Sequence, residues 1–466
     1  MGVPTVTAAR IYKGQQDGKR FGEETIFNME QLPNVGLSKT FCQDSQVADS
    51  ACSASAYLCG TLANIATIGL TSNVLFRDCI GQQNKSNHVS SVLAWAQGQG
   101  MSTGIVTTTR VTHATPSANY AHIADRDWEN DKMVKDSGKN SEDCDDIAEQ
   151  LIFGDVGSRI NVILGGGRRE MTPNTVLDVE SNLPGLRTDG KNLIESWLQT
   201  KNPQSAKYVW NKEQLLSLDK FNTDYLLGLF SYTHMDFVAD ANTTADPSLS
   251  EMTKVAIDIL SKNPKGYFLF VEDHAHHGNL AQKAFLEVIA MDEAVLTAMR
   301  TTFEEETLLI VSADHSHVMT ISGYPPRGNP ILGFAGISDV DGLPYTTISY
   351  GNGAGYKHPG PNGDRYDLTN DPLFDINYTQ MTGLPMTAQE ETHGGEDVSI
   401  YSRGPWAHLL TGVNHQSIIP HVIAYAACLD IPGKANLKGA HCSLSYGVEQ
   451  SPVSYFNGTL PPSPTV

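Results

Sequence analysis

Two stretches gather side chains that bind metal ions. In FLFVEDHAHHGN, Phe268 to Asn279, an apolar run ends in Glu272, Asp273, His274, His276 and His277. In LLIVSADHSH a second apolar run ends in Asp314, His315 and His317. A further histidine, His393 in EETHGGED, sits in a Gly-rich loop just before the run VSIY. Aspartate and histidine without cysteine suit zinc in a hydrolytic site, where neutral imidazole and carboxylate leave a coordination position open for water or substrate. The plain reading of any single Asp-His pair is a capping carboxylate beside a surface histidine. Two clusters at the ends of apolar runs, plus His393, weigh toward a shared metal site. Asp273 and His277 are spaced to share one face of a helical turn. His274 and His276 are expected to support the ligands or face solvent, and His317 to orient a ligand or substrate.

Such a site needs something to attack with. In QVADSACSASAYLCG, Asp49 and Ser50 precede small residues that turn into a helix, so Ser50 falls at the positive end of a helix dipole. An ordinary helix cap is the alternative, but a metal ion near the hydroxyl would make an alkoxide available without a general base. The stretch TTTRVTHATPSANYAHIADRDW then supplies Thr115 and Arg126. Arginine there reads as a surface ion pair or as a planar fork for two phosphate oxygens.

These residues need a scaffold that brings strand ends together. Short apolar runs alternate with helical patterns, the signature of a large, mainly parallel central β-sheet flanked by helices on both faces. Candidate strands are 105–108, 161–164, 267–271, 308–311 and 398–401. In LAQKAFLEVIAMDEAVLTAMR, residues Phe285, Val288, Ile289, Met291, Val295 and Met299 recur at helical spacing, and IIPHVIAYAACL reads as another buried helix. In α/β sheets, functional groups collect at strand carboxyl ends, which is where the clusters above lie. Residues 1–466 read as one domain, with a small crown-type insertion near 345–400.

Bulk properties agree. The chain has 466 residues, 40% hydrophobic and 18% charged, enough to bury a large core. A formal charge of −20 disfavours nucleic acid and anionic lipid as partners, so an anionic substrate needs a local patch of metal or arginine. Nothing approaches the run of roughly 18 apolar residues that a membrane span requires. Seven cysteines and sequons at Asn84, Asn242, Asn377 and Asn457 fit an extracellular protein. The opening MGVPTVTAARIYKG does not read as a signal peptide, and the ending PPSPTV does not read as a lipid-anchor signal.

The motifs DSA followed by AYLCG, TTTRVTHATP, YAHIADRDWENDK, VILGGGRR, ADHSHV, GNGAGY, ETHGGEDV and AYAACL occur in one order along nearly the whole chain. In this the sequence resembles the eukaryotic alkaline phosphatases, close to the arthropod and vertebrate members. The resemblance implies a metal-dependent phosphate monoester hydrolase with two zinc ions and one magnesium. Ser50 would be the phosphorylated nucleophile and Arg126 the phosphate clamp. Asp273, His277 and His393 would hold the first zinc, Asp314 and His315 the second beside Ser50, and Glu272 with Thr115 the magnesium, whose preference for oxygen fits that set. His113 and His317 would stand behind these ligands. It further implies bridges Cys79–Cys144 and Cys428–Cys442, with Cys42, Cys52 and Cys59 as buried thiols. A homodimer with the crown at its interface, a place outside the cell or on its surface, and a lipid anchor as the link to membrane follow on the same ground. Calcium is not expected, because Ser231 stands where vertebrate members have glutamate, although Asp246 is kept.

Two differences from the family pattern carry expectations. Members have, just before the segment matching Met1, an apolar strand ending in Gly-Asp-Gly whose aspartate bridges the second zinc and the magnesium. This chain opens after it, so the strands on either side should lack a ladder partner. Where members read Val-Glu-Gly-Gly-Arg-Ile-Asp-His, this chain reads VEDH. Adjacent side chains on an extended strand point to opposite faces, so Glu272 and Asp273 should not both keep the family's ligand positions. A catalytically silent relative that binds metal or phosphate without turnover is therefore the alternative reading. A sulfatase or phosphodiesterase on the same metal-supported core is the third.

Overall fold

The computed structural model describes residues 1–19, 21–274, 277–387, 390–433 and 442. His276 and Asn457 lie outside the described residues. Five strands form a sheet that is parallel throughout, in the order Ala206–Val209, Tyr225–Leu229, Val162–Gly166, Ser102–Arg110 and Tyr267–Glu272. Strand alternation divides its side chains between two cores. Ile105, Ile163 and Leu227 pack with Ala51, Leu58, Trp95, Leu151 and Trp197 on one face. Val106, Val162, Leu164 and Leu226 pack with Leu249, Met252, Val255 and Ile259 on the other. Covered on both faces, the strands Val162–Gly166 and Tyr225–Leu229 read in sequence as unbroken apolar runs. The helix Leu249–Leu260 on the second face opens with a capping box between Ser248 and Glu251.

A second, four-stranded sheet carries Gly412–His415, Asn34–Lys39, Val398–Arg403 and Leu309–Val311, and only its Asn34–Lys39/Gly412–His415 pair is parallel. Strands Tyr267–Glu272 and Leu309–Val311 are the facing edges of the two sheets, each with a single ladder partner among the described residues. Between them runs a cavity of about 980 Å³, lined by Leu269, Val271, Val288, Ala294, Leu309 and Val311 among others. Both edge strands end toward Glu272, Asp273, Asp314 and His315, which also line it. The helix Ala281–Thr301 buries Phe285, Val288 and Val295 as its spacing predicts, against Val6, Ala9 and Tyr12 of the helix Val3–Gln16.

The bridges Cys79–Cys144 and Cys428–Cys442 are present, and Cys59 is a buried thiol. Cys42 and Cys52, expected as thiols, are instead joined to each other with their Cα atoms 5.6 Å apart. The loop leaving strand Asn34–Lys39 packs on the first turn of the helix Ser50–Cys59, where Cys42, Ala48, Cys52 and Ala63 form a small core of their own. Asn84, Asn242 and Asn377 are exposed. No described helix is long and apolar enough to cross a membrane.

An irregular strap, residues 61–78, wraps the helix Ser50–Cys59 and pairs Ile68 with Ile123. Its Ala66 carbonyl accepts the Arg126 backbone N–H at 2.9 Å. Two histidines fasten it. His122 Nδ1 donates to the Gly69 carbonyl at 2.7 Å, and the His122 ring stacks on His88 at 4.1 Å between centroids. Burial and the neighbouring ring lower the His122 pKa from 6.5 to about 4, and burial lowers that of His88. The folded protein therefore refuses protons that the unfolded chain accepts below pH 6.5. This contribution to stability is complete above pH 6.5 and is lost as pH falls toward 4, at up to about 1.4 kcal/mol per pH unit for one site. His122→Asn, which keeps a donor for Gly69, should flatten the dependence of unfolding free energy on pH in that window by close to one proton. An unchanged slope in denaturant titrations would assign the acid sensitivity elsewhere.

Candidate functional site

Ser50 is the first residue of its helix, and Asp49 is the cap that starts it, accepting the Cys52 N–H at 3.1 Å. Gly60 ends the helix with φ +70, where a Cβ would lie 2.8 Å from His421 Nε2. The helix dipole and its free N–H groups favour an anion beside Ser50. Ser50 Oγ lies 3.2 Å from His315 Nε2 and hydrogen-bonds the Asp314 carboxylate. The Asp49 carboxylate also accepts the Ala66 N–H and, at 3.1 Å, Arg126 Nη1. Arg126 Nη2 donates to His113 Nε2, also at 3.1 Å. Burial first, then the charges of Arg126 and Arg110, hold His113 neutral and able to accept. The guanidinium is thus gripped from two sides next to Ser50.

The histidines foreseen at strand ends converge. Strand Ser316–His317 pairs antiparallel with His393–Gly394, setting His317 opposite His393. The His315 and His393 rings stack 3.5 Å apart at 13°, and His277 stands 4.6 Å from His317 and 5.4 Å from His393 between centroids. Their Nδ1 atoms are anchored: His393 to the Ala48 carbonyl at 2.7 Å, His315 to the Ser316 carbonyl at 3.0 Å, and His317 to Glu391 at 2.9 Å. For His315 and His393 this fixes the tautomer that leaves the Nε2 lone pair available. Burial pushes the pKa values of His277 and His315 down to about 3 and that of His317 well below its usual range, so all three are neutral near pH 7. Burial opposes ionisation of Asp314, yet His315, the Met1 amine and His393, with the Ser50 hydrogen bond, hold it below the usual carboxylate range.

The carboxylates of VEDH part company, as strand alternation requires. Glu272 Oε2 accepts from Thr107 Oγ1 at 2.6 Å and Thr109 Oγ1 at 3.2 Å, and Thr115 also hydrogen-bonds this carboxylate. Glu272 and Thr115, assigned to one ion on resemblance, are therefore together. Asp273 faces elsewhere: its Oδ1 accepts from Thr108 Oγ1 at 3.0 Å, and it hydrogen-bonds Glu287. Asp273, His274 and His277 lie outside any helix, so the described residues give no support to the shared helical face foreseen for Asp273 and His277. Thr108 Oγ1 takes the His274 N–H at 2.8 Å and draws the chain toward strand Ser102–Arg110 instead. Burial raises the pKa of Glu272 to about 7, and burial raises both Asp273 and Glu287, which face each other.

The donor chemistry fits the ions that the sequence reading names. His317 Nε2 and His113 Nδ1 are buried without a hydrogen-bond partner, and carboxyls held partly protonated by burial would ionise beside a cation. Among the described residues, only Cys42, Asp49 and Cys52 bring three donor atoms within 4.8 Å of one another. That trio is no ion site, because its two sulfurs are bonded together. The histidine and acid donors stand farther apart around the cavity mouth. Sequence reasoning missed Thr107 and Thr109, whose type carries little metal signal, and Glu287 and Glu391, which stand outside the Asp-His clusters that end the apolar runs. The run TTTR, sending alternate hydroxyls to Glu272 and Asp273, was the trace of the first two. Asp49→Ala removes the helix cap and leaves the Arg126 guanidinium without its carboxylate. It should cost about 1–3 kcal/mol in a denaturant titration, whereas Asp49→Asn, which can still cap, should cost less.

A family-wide sequence pattern described as "Alkaline phosphatase" matches residues 1–429. The chain is 48% identical over 454 residues to the tissue-nonspecific alkaline phosphatase of Gallus gallus, covering 95% of this chain and 84% of that one. It is 45% identical over 441 residues to a membrane-bound alkaline phosphatase of Bombyx mori, covering 93% and 79%. Among solved structures, Thermus thermophilus alkaline phosphatase superposes with a TM-score of 0.62 at 21% identity, over 92% of this chain and 89% of that one, which bears on the fold. The motifs, the fold and these likenesses agree: the chain belongs to the alkaline phosphatase family.

Proposed function

We propose that the chain hydrolyses phosphate monoesters through a phosphoserine at Ser50, releasing an alcohol and inorganic phosphate. The observation that carries this reading is Ser50 Oγ at a helix N-terminus, facing His315 and Asp314, with Arg126 fixed alongside by Asp49 and His113. Ser50 forms the new P–O bond in line with the ester oxygen, which leaves with a proton as the alcohol. Water then attacks the phosphoserine and restores the hydroxyl. Arg126 presents a planar fork to the two oxygens that are not transferred. The N-terminal N–H groups of the Ser50 helix add a dipole favouring the anion.

His277 and His393 with Asp273 would hold one zinc ion, Asp314 and His315 beside Ser50 a second, and Glu272 with Thr115 a magnesium ion. Bound there, the ions would supply charge neutralisation for the phosphoryl group and lower the pKa of the serine hydroxyl and of water. Support comes from the neutral imidazoles with anchored Nδ1 atoms and the partnerless buried donors described above. Asp273 is the donor whose side chain must turn, away from Thr108 and Glu287. A place outside the cell fits three bridges and three exposed sequons. A homodimer meeting through the 345–400 region fits the exposed Phe374 and Leu384 there.

Ser50→Ala should abolish hydrolysis of an aryl phosphate and the acid-trapped phosphoprotein together; turnover surviving in that variant rejects the covalent route. Arg126→Ala should raise KM about 10- to 100-fold, the worth of a charge-assisted fork, with a smaller change in kcat. Dialysis against a chelator should remove activity and zinc should restore it. Metal analysis of active protein should give about two zinc ions per chain, whereas little bound metal with no turnover would favour the silent relative.

A further inference from the structure

The bridge absent from the sequence reading encloses the segment on which the proposed chemistry turns. Cys42 and Cys52 are separated by ten positions, and residues 43–51 lie between them. Residues 43–47 have no helix or strand and are largely exposed. Two backbone bonds hold them, Cys42 N–H to the Ser45 carbonyl and Gln43 N–H to the Ala63 carbonyl, each at 3.0 Å. The next three residues are buried, and each makes one contact of the site. The Ala48 carbonyl accepts from His393 Nδ1 at 2.7 Å, Asp49 holds Arg126 at 3.1 Å, and Ser50 Oγ faces His315 at 3.2 Å. One end of the bridge follows strand Asn34–Lys39 of the four-stranded sheet, and the other lies in the first turn of the Ser50 helix.

We propose that the Cys42–Cys52 bridge is a positioning element of the phosphate site, fixing the Ala48–Ser50 backbone so that Arg126 and Ser50 Oγ meet one phosphoryl group with the His393 ring held in its place beside them. The inference rests on the reading of Ser50 and Arg126 given above. The segment carrying the contacts is short, polar and irregular on its upstream side, so it has no core to hold it there. The bridge substitutes for that core, with Ala48 and Ala63 packed around the sulfurs. Cross-linking removes the alternative paths that a loop of this length otherwise samples. What remains is one course for the Ala48 carbonyl, and through it one ring orientation for His393. A second bridge supplies the contrast. Cys79–Cys144 spans 65 positions, so loop closure gives it at least as large a share in stability, but neither of its ends carries any of the three contacts.

The test compares two folded double variants of the full chain loaded with its metals, Cys42→Ser with Cys52→Ser and Cys79→Ser with Cys144→Ser. The dissociation constant of inorganic phosphate is measured well below each thermal midpoint, alongside KM and kcat for an aryl phosphate. Opening Cys42–Cys52 should weaken phosphate and raise KM by about tenfold or more, the scale of a misplaced contact group. Opening Cys79–Cys144 should lower the thermal midpoint and leave phosphate affinity unchanged. Cys42→Val with Cys52→Ala, which refills the small core with apolar groups, should show the same weakened phosphate binding. Unaltered phosphate affinity in a folded Cys42/Cys52 variant overturns the proposal, as does equal weakening in both bridge variants. If neither Cys42/Cys52 variant folds, the bridge acts on the fold and the proposal falls. Absence of phosphate binding in the unaltered protein instead rejects the underlying reading of the site.

Discussion

The Asp49 carboxylate is shared by three structures that would otherwise be independent. It starts the Ser50 helix through the Cys52 N–H, ties down the strap through the Ala66 N–H, and holds Arg126. Serine or asparagine can cap a helix, but neither offers the charge a guanidinium needs once it is taken partly out of water. Glutamate carries the charge on a chain one methylene longer, which moves it off the cap position. The placement of Ser50 and of the Arg126 guanidinium is thus one geometric decision made at one residue. The strap repeats the coupling from outside, since its Ala66 carbonyl fixes the Arg126 backbone while His122 and Gly69 fix the strap.

Around that centre the electrostatics are arranged for cations that the protein itself does not provide. Imidazoles buried close to one another cannot all be charged, and each is held neutral, the form that can coordinate a cation. Glu272 and Asp273 sit where burial favours their protonated forms. A chain of formal charge −20 presents little attraction to a phosphate ester from afar. The attraction must be local, from Arg126, the helix N-terminus and bound metal.

The two sheets explain why the donors approach without closing into tight clusters. Strands Tyr267–Glu272 and Leu309–Val311 aim their carboxyl ends at a common mouth but face each other across an apolar slot, each lacking a ladder partner on that side among the described residues. Hydrogen bonding normally spaces neighbouring strands at about 4.8 Å and so sets the distance between side chains at their ends. Among the described residues no ladder spans the slot, so side-chain packing, to which the helices Ala281–Thr301 and Val3–Gln16 both contribute, sets the distance between Glu272 and Asp314.

Much was legible in the sequence because it depends on local pattern. The strand at 105–108, the strand at 267–271 and the helix over Ala281–Thr301 follow from apolar runs and helical spacing, which report burial directly. Clustered histidine and aspartate at strand ends marked the site, because few other arrangements place those types after apolar runs. The alternation of Glu272 and Asp273 to different partners was readable too, being a property of extended backbone. Only the tertiary structure decided what depends on distance between remote segments. Cys42 and Cys52 look like spare thiols in the chain, and become a bridge because a loop from one sheet folds back onto a helix start. Glu287 looks like one acid on a helix, and becomes the neighbour of Asp273 because that helix crosses the end of strand Tyr267–Glu272. Local sequence specifies which groups an element carries and which way they point, while the approach of one element to another is fixed by the packing of all of them together.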